Sequence, residues 1–161
     1  MTSTDAALRL PKSVRRPEAE LLPVLLRWLA ARRWIRDDTT LVGEFPWLGR
    51  RIDLATMTSS DSIVAYELKL RDTRRAIEQA AANRLTFDRS YVVSATPPGI
   101  ALIELAAQSG VGLLVESGTQ MKLVLSSPSL RCDPVVRRRL RDKIALLNER
   151  GYRCSIPFLT T

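Results

Sequence analysis

Asp53, Glu67 and Lys69 are the residues of this chain whose types and spacing could do chemistry. Two short apolar runs, Ile52 to Met57 and Ile63 to Leu70, are split by Thr58-Ser59-Ser60-Asp61-Ser62, the pattern of a β-hairpin. Asp53 lies near the start of the first run and Glu67 late in the second. Lys69 follows two residues on, so Glu67 and Lys69 project from one strand face and Leu68 and Leu70 from the other. A hairpin turning near Ser60 sets the start of its first strand beside the end of its second, so Asp53 can face both. Carboxylates gathered on a mostly apolar sheet carry a desolvation cost or a shifted pKa. A divalent cation removes that conflict, and Mg²⁺ favours one or two carboxylates with phosphate oxygens and water. A neighbouring ammonium can orient or help deprotonate a metal-bound water, or offset charge developing on a phosphate. The set therefore points to phosphodiester hydrolysis. The competing reading is a solvated edge strand with an ordinary Glu–Lys pair.

The elements that must position these groups are legible on either side. After a tail over residues 1–12, a helix is expected from about Pro17 to Arg33, with Leu22, Leu25, Leu26 and Leu29 as its apolar stripe and Trp28 at the edge. Glu18 shares that stripe's face, whereas Glu20 goes with Val24 and Arg27 on a more polar one. Leu41 to Trp47 reads as a first strand, in which Glu44 alternates with Val42 and could approach the site. Arg50 and Arg51 lead from the next turn into Asp53 and could grip a phosphate backbone or simply be solvated. Asp72 or Thr73 caps a helix to about Phe87. Its Ala76, Ile77, Ala80, Ala81 and Leu85 form a small-residue face, while Gln79 and Asn83 share another face, with Arg75 on the same general side. A strand at Ser90 to Ala95, a helix at Ile100 to Ser109 and a strand at Val111 to Glu116 form a parallel crossover unit. Met121 to Leu125 suggests an added edge strand. Pro134 to Arg150 reads as a basic helix, docked through Val136, Leu140, Ile144 and Leu147.

An aspartate after an apolar residue, Glu-x-Lys one strand later and a following helix with a glutamine together resemble the PD-(D/E)xK nuclease superfamily. The matching residues are Asp53, Glu67, Lys69 and Gln79. Ile52 stands where that motif has its proline, and the resemblance covers roughly residues 18–94. It implies a restriction-endonuclease-like α/β fold: a mixed sheet flanked by helices, in the order α-β-β-β-α-β-α-β plus a C-terminal helix, as one domain over residues 13–161. It also implies a nuclease dependent on Mg²⁺ or Mn²⁺. Asp53, Glu67 and the Leu68 backbone carbonyl would hold the metal, Lys69 would act on the water, and a helix-borne Glu18 would be a further catalytic member. Arg50, Arg51, Arg75, Gln79 and Asn83 would contact nucleic acid. Members of this superfamily can keep the fold and lose the chemistry, so a non-catalytic module that binds nucleic acid or protein is the alternative.

Composition narrows the field. Net charge is +8 over 161 residues, and only four of the 25 basic residues are lysines. Arginine forms bidentate contacts with phosphate, so this balance suits a polyanionic partner, which under the nuclease resemblance is expected to be DNA. The absence of histidine excludes His-dependent nucleases, Ser-His-Asp hydrolysis and His-ligated zinc. Cys132 and Cys154 are too few for a disulfide framework and read as free thiols in a reducing cytoplasm. No apolar run reaches the roughly 18–20 residues of a membrane span. No signal-peptide core stands at the N-terminus. A homodimer is left open.

Overall fold

In the computed structural model, residues 18–151 are described. The tail expected over residues 1–12, Pro17 and Cys154 lie outside them. A short 3₁₀ turn, Glu18–Glu20, leads into α1 (Leu21–Ala31). Strands β1 (Thr40–Trp47), β2 (Arg50–Met57) and β3 (Ile63–Lys69) follow. Next come α2 (Thr73–Asn83), β4 (Arg89–Ser94), α3 (Ile100–Gln108), β5 (Gly112–Ser117), β6 (Gln120–Leu125) and α4 (Pro134–Glu149). The six strands form one mixed sheet in the order β1-β2-β3-β4-β5-β6. β3, β4 and β5 run parallel, joined by α2 and α3, and the remaining neighbours are antiparallel. The result is the expected α/β mixed sheet flanked by helices, with β6 as its edge strand.

The helices divide unequally between the faces. α1 covers one face, packing Leu21, Leu25 and Leu29 against Leu54, Tyr66, Leu68, Tyr91 and Leu114. α2 and α3 cover the other with Ile77, Ala80 and Ala106 on Val92 and Leu113. α4 shares that second face, where Leu140, Ile144 and Leu147 meet Val42, Phe45, Ile52 and Ala65. The basic helix thus docks as its apolar face requires. Arg137 adds an ion pair to the buried Asp88, which also accepts from the Ile63 N–H.

Two boundaries and one helix face differ from the sequence reading. α1 begins at Leu21 because Pro23 has no N–H; it fits only the first turn, where no intrahelical acceptor is needed. Val24, expected on the polar face, is buried, and Leu22 is only half-buried. α2 ends at Asn83 rather than Phe87, and Asp72 caps it by accepting from the Arg75 N–H at 3.3 Å.

The hairpin β1–β2 bends where it passes the site. Glu44 has φ +50°, a left-handed conformation that costs a non-glycine residue of order 1–3 kcal/mol. The two-residue alternation breaks at the same level in both strands. Val42 and Phe45 point into one cluster, and so do Ile52 and Ala55. Beyond the bend the hairpin curls over α2. Trp47 Nε1 donates to Thr86 Oγ1 at 3.0 Å, and Phe45 meets Phe87 edge-on.

Candidate active site

The ladder between β2 and β3 runs from Met57↔Ile63 to Leu54↔Tyr66 and stops there. The next positions in register are Asp53 and Glu67, at the fork where the bent β2 leaves β3. The N–H of Leu68 would otherwise point at a β2 carbonyl. It donates instead to Asp53 Oδ2 at 2.6 Å, so the aspartate side chain replaces the missing rung. The Leu68 carbonyl points to the same open edge, because one strand residue's N–H and C=O face the same neighbour.

Glu67 is only 3% exposed. Its Oε1 accepts from Asn83 Nδ2 at 2.8 Å. Asn83 is fully buried, and its Oδ1 accepts from Arg50 Nη2 at 2.9 Å. Arg50 Nη1 also donates to the Gln79 carbonyl at 3.1 Å. Arg50, Asn83 and Glu67 thus form a chain, made when the bent hairpin lays Arg50 across α2. Two expectations change. Asn83 is no nucleic-acid contact, since its amide is spent inside the protein. Arg50, half-buried, reaches α2 and engages two of its guanidinium donors in that chain.

Burial is the main cause pushing both acids upward. The Glu67 carboxyl is raised to about 7; Asn83 and the Lys69 charge pull it down, and Asp53 pushes it further up. Asp53 is also raised by burial, partly offset by the Leu68 N–H and Lys69, with smaller upward pushes from Glu44 and Glu18. Glu44 itself is exposed and pairs with Arg51 at 3.3 Å, so it acts on Asp53 only through its field.

Lys69 is largely buried and pairs with Glu18 Oε2 at 3.4 Å. Glu18 comes from the 3₁₀ turn rather than a helix, and it meets the lysine rather than joining the two acids. Among the described residues, no three His, Cys, Asp or Glu side chains gather as a metal-binding group. Asp53 and Glu67 therefore stand as a pair. Lys69 and Glu18 open into a cleft of about 390 Å³, shared with Arg71, Asp72, Arg75 and Gln79. Gln79 Oε1 is buried without a hydrogen-bond partner among the described residues, although an acceptor so placed normally finds a donor.

The buried polar chain supports a stability prediction. Asn83→Ala leaves Glu67 Oε1 and the Arg50 guanidinium without their partner. The expected loss is about 2–3 kcal/mol, read by urea unfolding at pH 8, where Glu67 is ionised. A loss below about 0.5 kcal/mol would mean that the chain contributes little to the fold.

No protein-family model matches this chain, and no curated protein is significantly similar in sequence. The fold is similar to a solved structure described as the SPO1766 protein of unknown function from Silicibacter pomeroyi. The TM-score is 0.65 at 22% identity, covering 84% of this chain and 88% of that one. At that identity the likeness speaks to the fold alone.

Proposed function

We propose that this protein is a divalent-metal-dependent nuclease hydrolysing phosphodiester bonds in DNA, built on the restriction-endonuclease-like scaffold of the PD-(D/E)xK superfamily. One observation carries the reading: at the fork of β2 and β3 the register brings Asp53 level with Glu67, with Lys69 on the Glu67 side of the strand. The donor set fits a hard cation. Two carboxylates raised by burial, one of them pushed further by the other, gain from a shared positive charge. Their known hydrogen bonds engage one oxygen each. Asp53, Glu67 and the Leu68 carbonyl would hold Mg²⁺ or Mn²⁺. Such an ion supplies charge stabilisation at the phosphate and a more acidic bound water.

The chain's own groups have separate duties. The Leu68 N–H fixes Asp53, and Asn83, held by Arg50, fixes Glu67. Glu18 holds the Lys69 ammonium at the cleft, where it would orient the attacking water and offset negative charge on the phosphate. Gln79, which lines the cleft beside Lys69, would meet the substrate there. Arg75 lines the cleft, and Arg51 is exposed beside the hairpin bend.

A second reading, a non-catalytic nuclease-fold module, draws on the Lys69–Glu18 pair, which gives the lysine a structural partner. Incubation of the purified protein with labelled single- and double-stranded DNA and RNA, with Mg²⁺, Mn²⁺ or EDTA, separates the two. The nuclease reading expects metal-dependent cleavage that EDTA abolishes. Binding without cleavage on every substrate and metal would favour the module. The electrostatic footprint has its own check. Replacing Arg51 and Arg75 with Gln is expected to weaken DNA binding and to reduce the log–log salt slope by about two. An unchanged slope would move the footprint elsewhere.

A further inference from the structure

On the α1 face, at the end of the strands away from Asp53 and Glu67, lies a second recess of about 280 Å³. Aromatic rings wall it. Trp34 meets Tyr91 at 5.4 Å between centroids, and Tyr91 stacks on Tyr66 at 5.7 Å. Thr56, Thr58, Ser62, Val64 and Arg89 complete its lining. Trp34 and Thr58 also border an adjoining depression of about 240 Å³ that carries Arg33, Arg36 and one acid, Asp38. The two together reach the size of an ordinary small-molecule site, roughly 300–1,000 Å³.

Arg89 is half-buried and donates to the Ser127 carbonyl at 3.0 Å; among the described residues it forms no ion pair with a carboxylate. Arg84 stands close enough to feel it. Burial first, and the Arg89 charge second, pull the Arg84 guanidinium below its ordinary range. Arg84 likewise donates to a backbone carbonyl, that of Asp88. The Asp88 carboxylate is already taken by Arg137 and the Ile63 N–H. Arg84 does not line the recess, so the anion-binding group there is Arg89, a half-buried guanidinium that an anion would neutralise. A neighbouring indole and a row of hydroxyls suit a planar ring bearing hydrogen-bonding groups.

We infer that this recess binds a nucleoside monophosphate, with the phosphate on Arg89 and the base against Trp34. Phosphate takes a guanidinium by paired N–H donors, and an indole face offers a base its stacking surface. The inference is independent of the nuclease reading, since the two sites lie on opposite faces of the sheet.

Calorimetric titration of the full chain with AMP, adenosine and inorganic phosphate tests it, beside two-dimensional NMR of the wild-type protein. AMP is expected to bind in the micromolar-to-submillimolar range, at least tenfold tighter than adenosine or phosphate. It should shift the Trp34 indole N–H resonance and leave the Gln79 side-chain amide unmoved. Arg89→Gln should weaken AMP at least tenfold, and Arg75→Ala, in the other cleft, should leave it unchanged. The wild-type spectra keep the test decisive if Arg89→Gln folds poorly. No heat with AMP at millimolar concentration would overturn the inference. So would phosphate binding as tightly as AMP, or loss of AMP binding in Arg75→Ala.

Discussion

Lys69→Ala and Asp53→Ala are each expected to reduce DNA cleavage by on the order of 10³-fold or more, with the fold retained. The two losses have different origins. Asp53→Ala removes one of two carboxylates at the fork and frees the Leu68 N–H to find water at that open edge. Lys69→Ala removes a cation that lowers the pKa of both acids. Neither variant should unfold the protein: Asp53→Ala removes repulsion and desolvation cost along with its contact, and in Lys69→Ala the two acids, already raised by burial, can take up a proton instead of standing as uncompensated charges. Single-turnover cleavage beside far-ultraviolet circular dichroism checks this. Undiminished cleavage in both variants would put the chemistry elsewhere on the molecule.

The second large effect is on stability as a function of pH, without metal. Glu67 is raised from 4.5 to about 7, so between those values the folded protein holds a proton that the unfolded chain releases. Stability conferred by that proton is complete below about 4.5 and is lost as pH rises through about 7. The full loss is at most about 3 kcal/mol. Asp53, raised in the same direction, adds to the same trend. Glu67→Gln keeps an acceptor for Asn83 and removes the titration. The variant should match the wild type near pH 5 and exceed it by about 2–3 kcal/mol at pH 8 in urea unfolding. A variant less stable than the wild type at pH 8 would mean that the ionised carboxylate is well accommodated and that the site has no surplus negative charge to neutralise.

The hairpin and its acids were legible because a strand alternates every second residue. Leu54, Val64, Tyr66 and Leu68 fix the register, and the register carries Asp53 to the level of Glu67. The crossover helices were equally legible from Asp72 and Gly110, which mark an end of each, and the last helix from Pro134 at its start. The bend at Glu44 was not. Its left-handed backbone is imposed by the hairpin curling over α2, a tertiary demand that leaves no mark in the residue type. From the bend follow the two misplaced contacts. A Gln/Asn face on α2 reads as solvent-facing until another element covers it, and only the curled hairpin brings Arg50 onto Asn83. The start of α1 is a different case. Pro23 stood in the sequence as a plain signal against a helix beginning at Pro17, and the run of leucines around it outweighed it. Asn83 as the partner of Glu67 could have been suspected from one clue: a buried strand acid needs a donor, and α2 is the next element in the chain.

The arrangement divides labour between a rigid fork and a more open cleft. Asp53 and Glu67 are held by a backbone N–H and a buried amide. Lys69, Gln79 and Arg75 face the space where a substrate phosphate would lie. The measurement that tests this account most directly is calorimetric titration of Mn²⁺ into the wild type, Asp53→Ala and Lys69→Ala at pH 8. One site is expected in the wild type, no measurable binding in Asp53→Ala, and binding retained or strengthened in Lys69→Ala, where a positive charge beside the ion is gone. Equal Mn²⁺ binding in the wild type and Asp53→Ala, or none in the wild type, would contradict it.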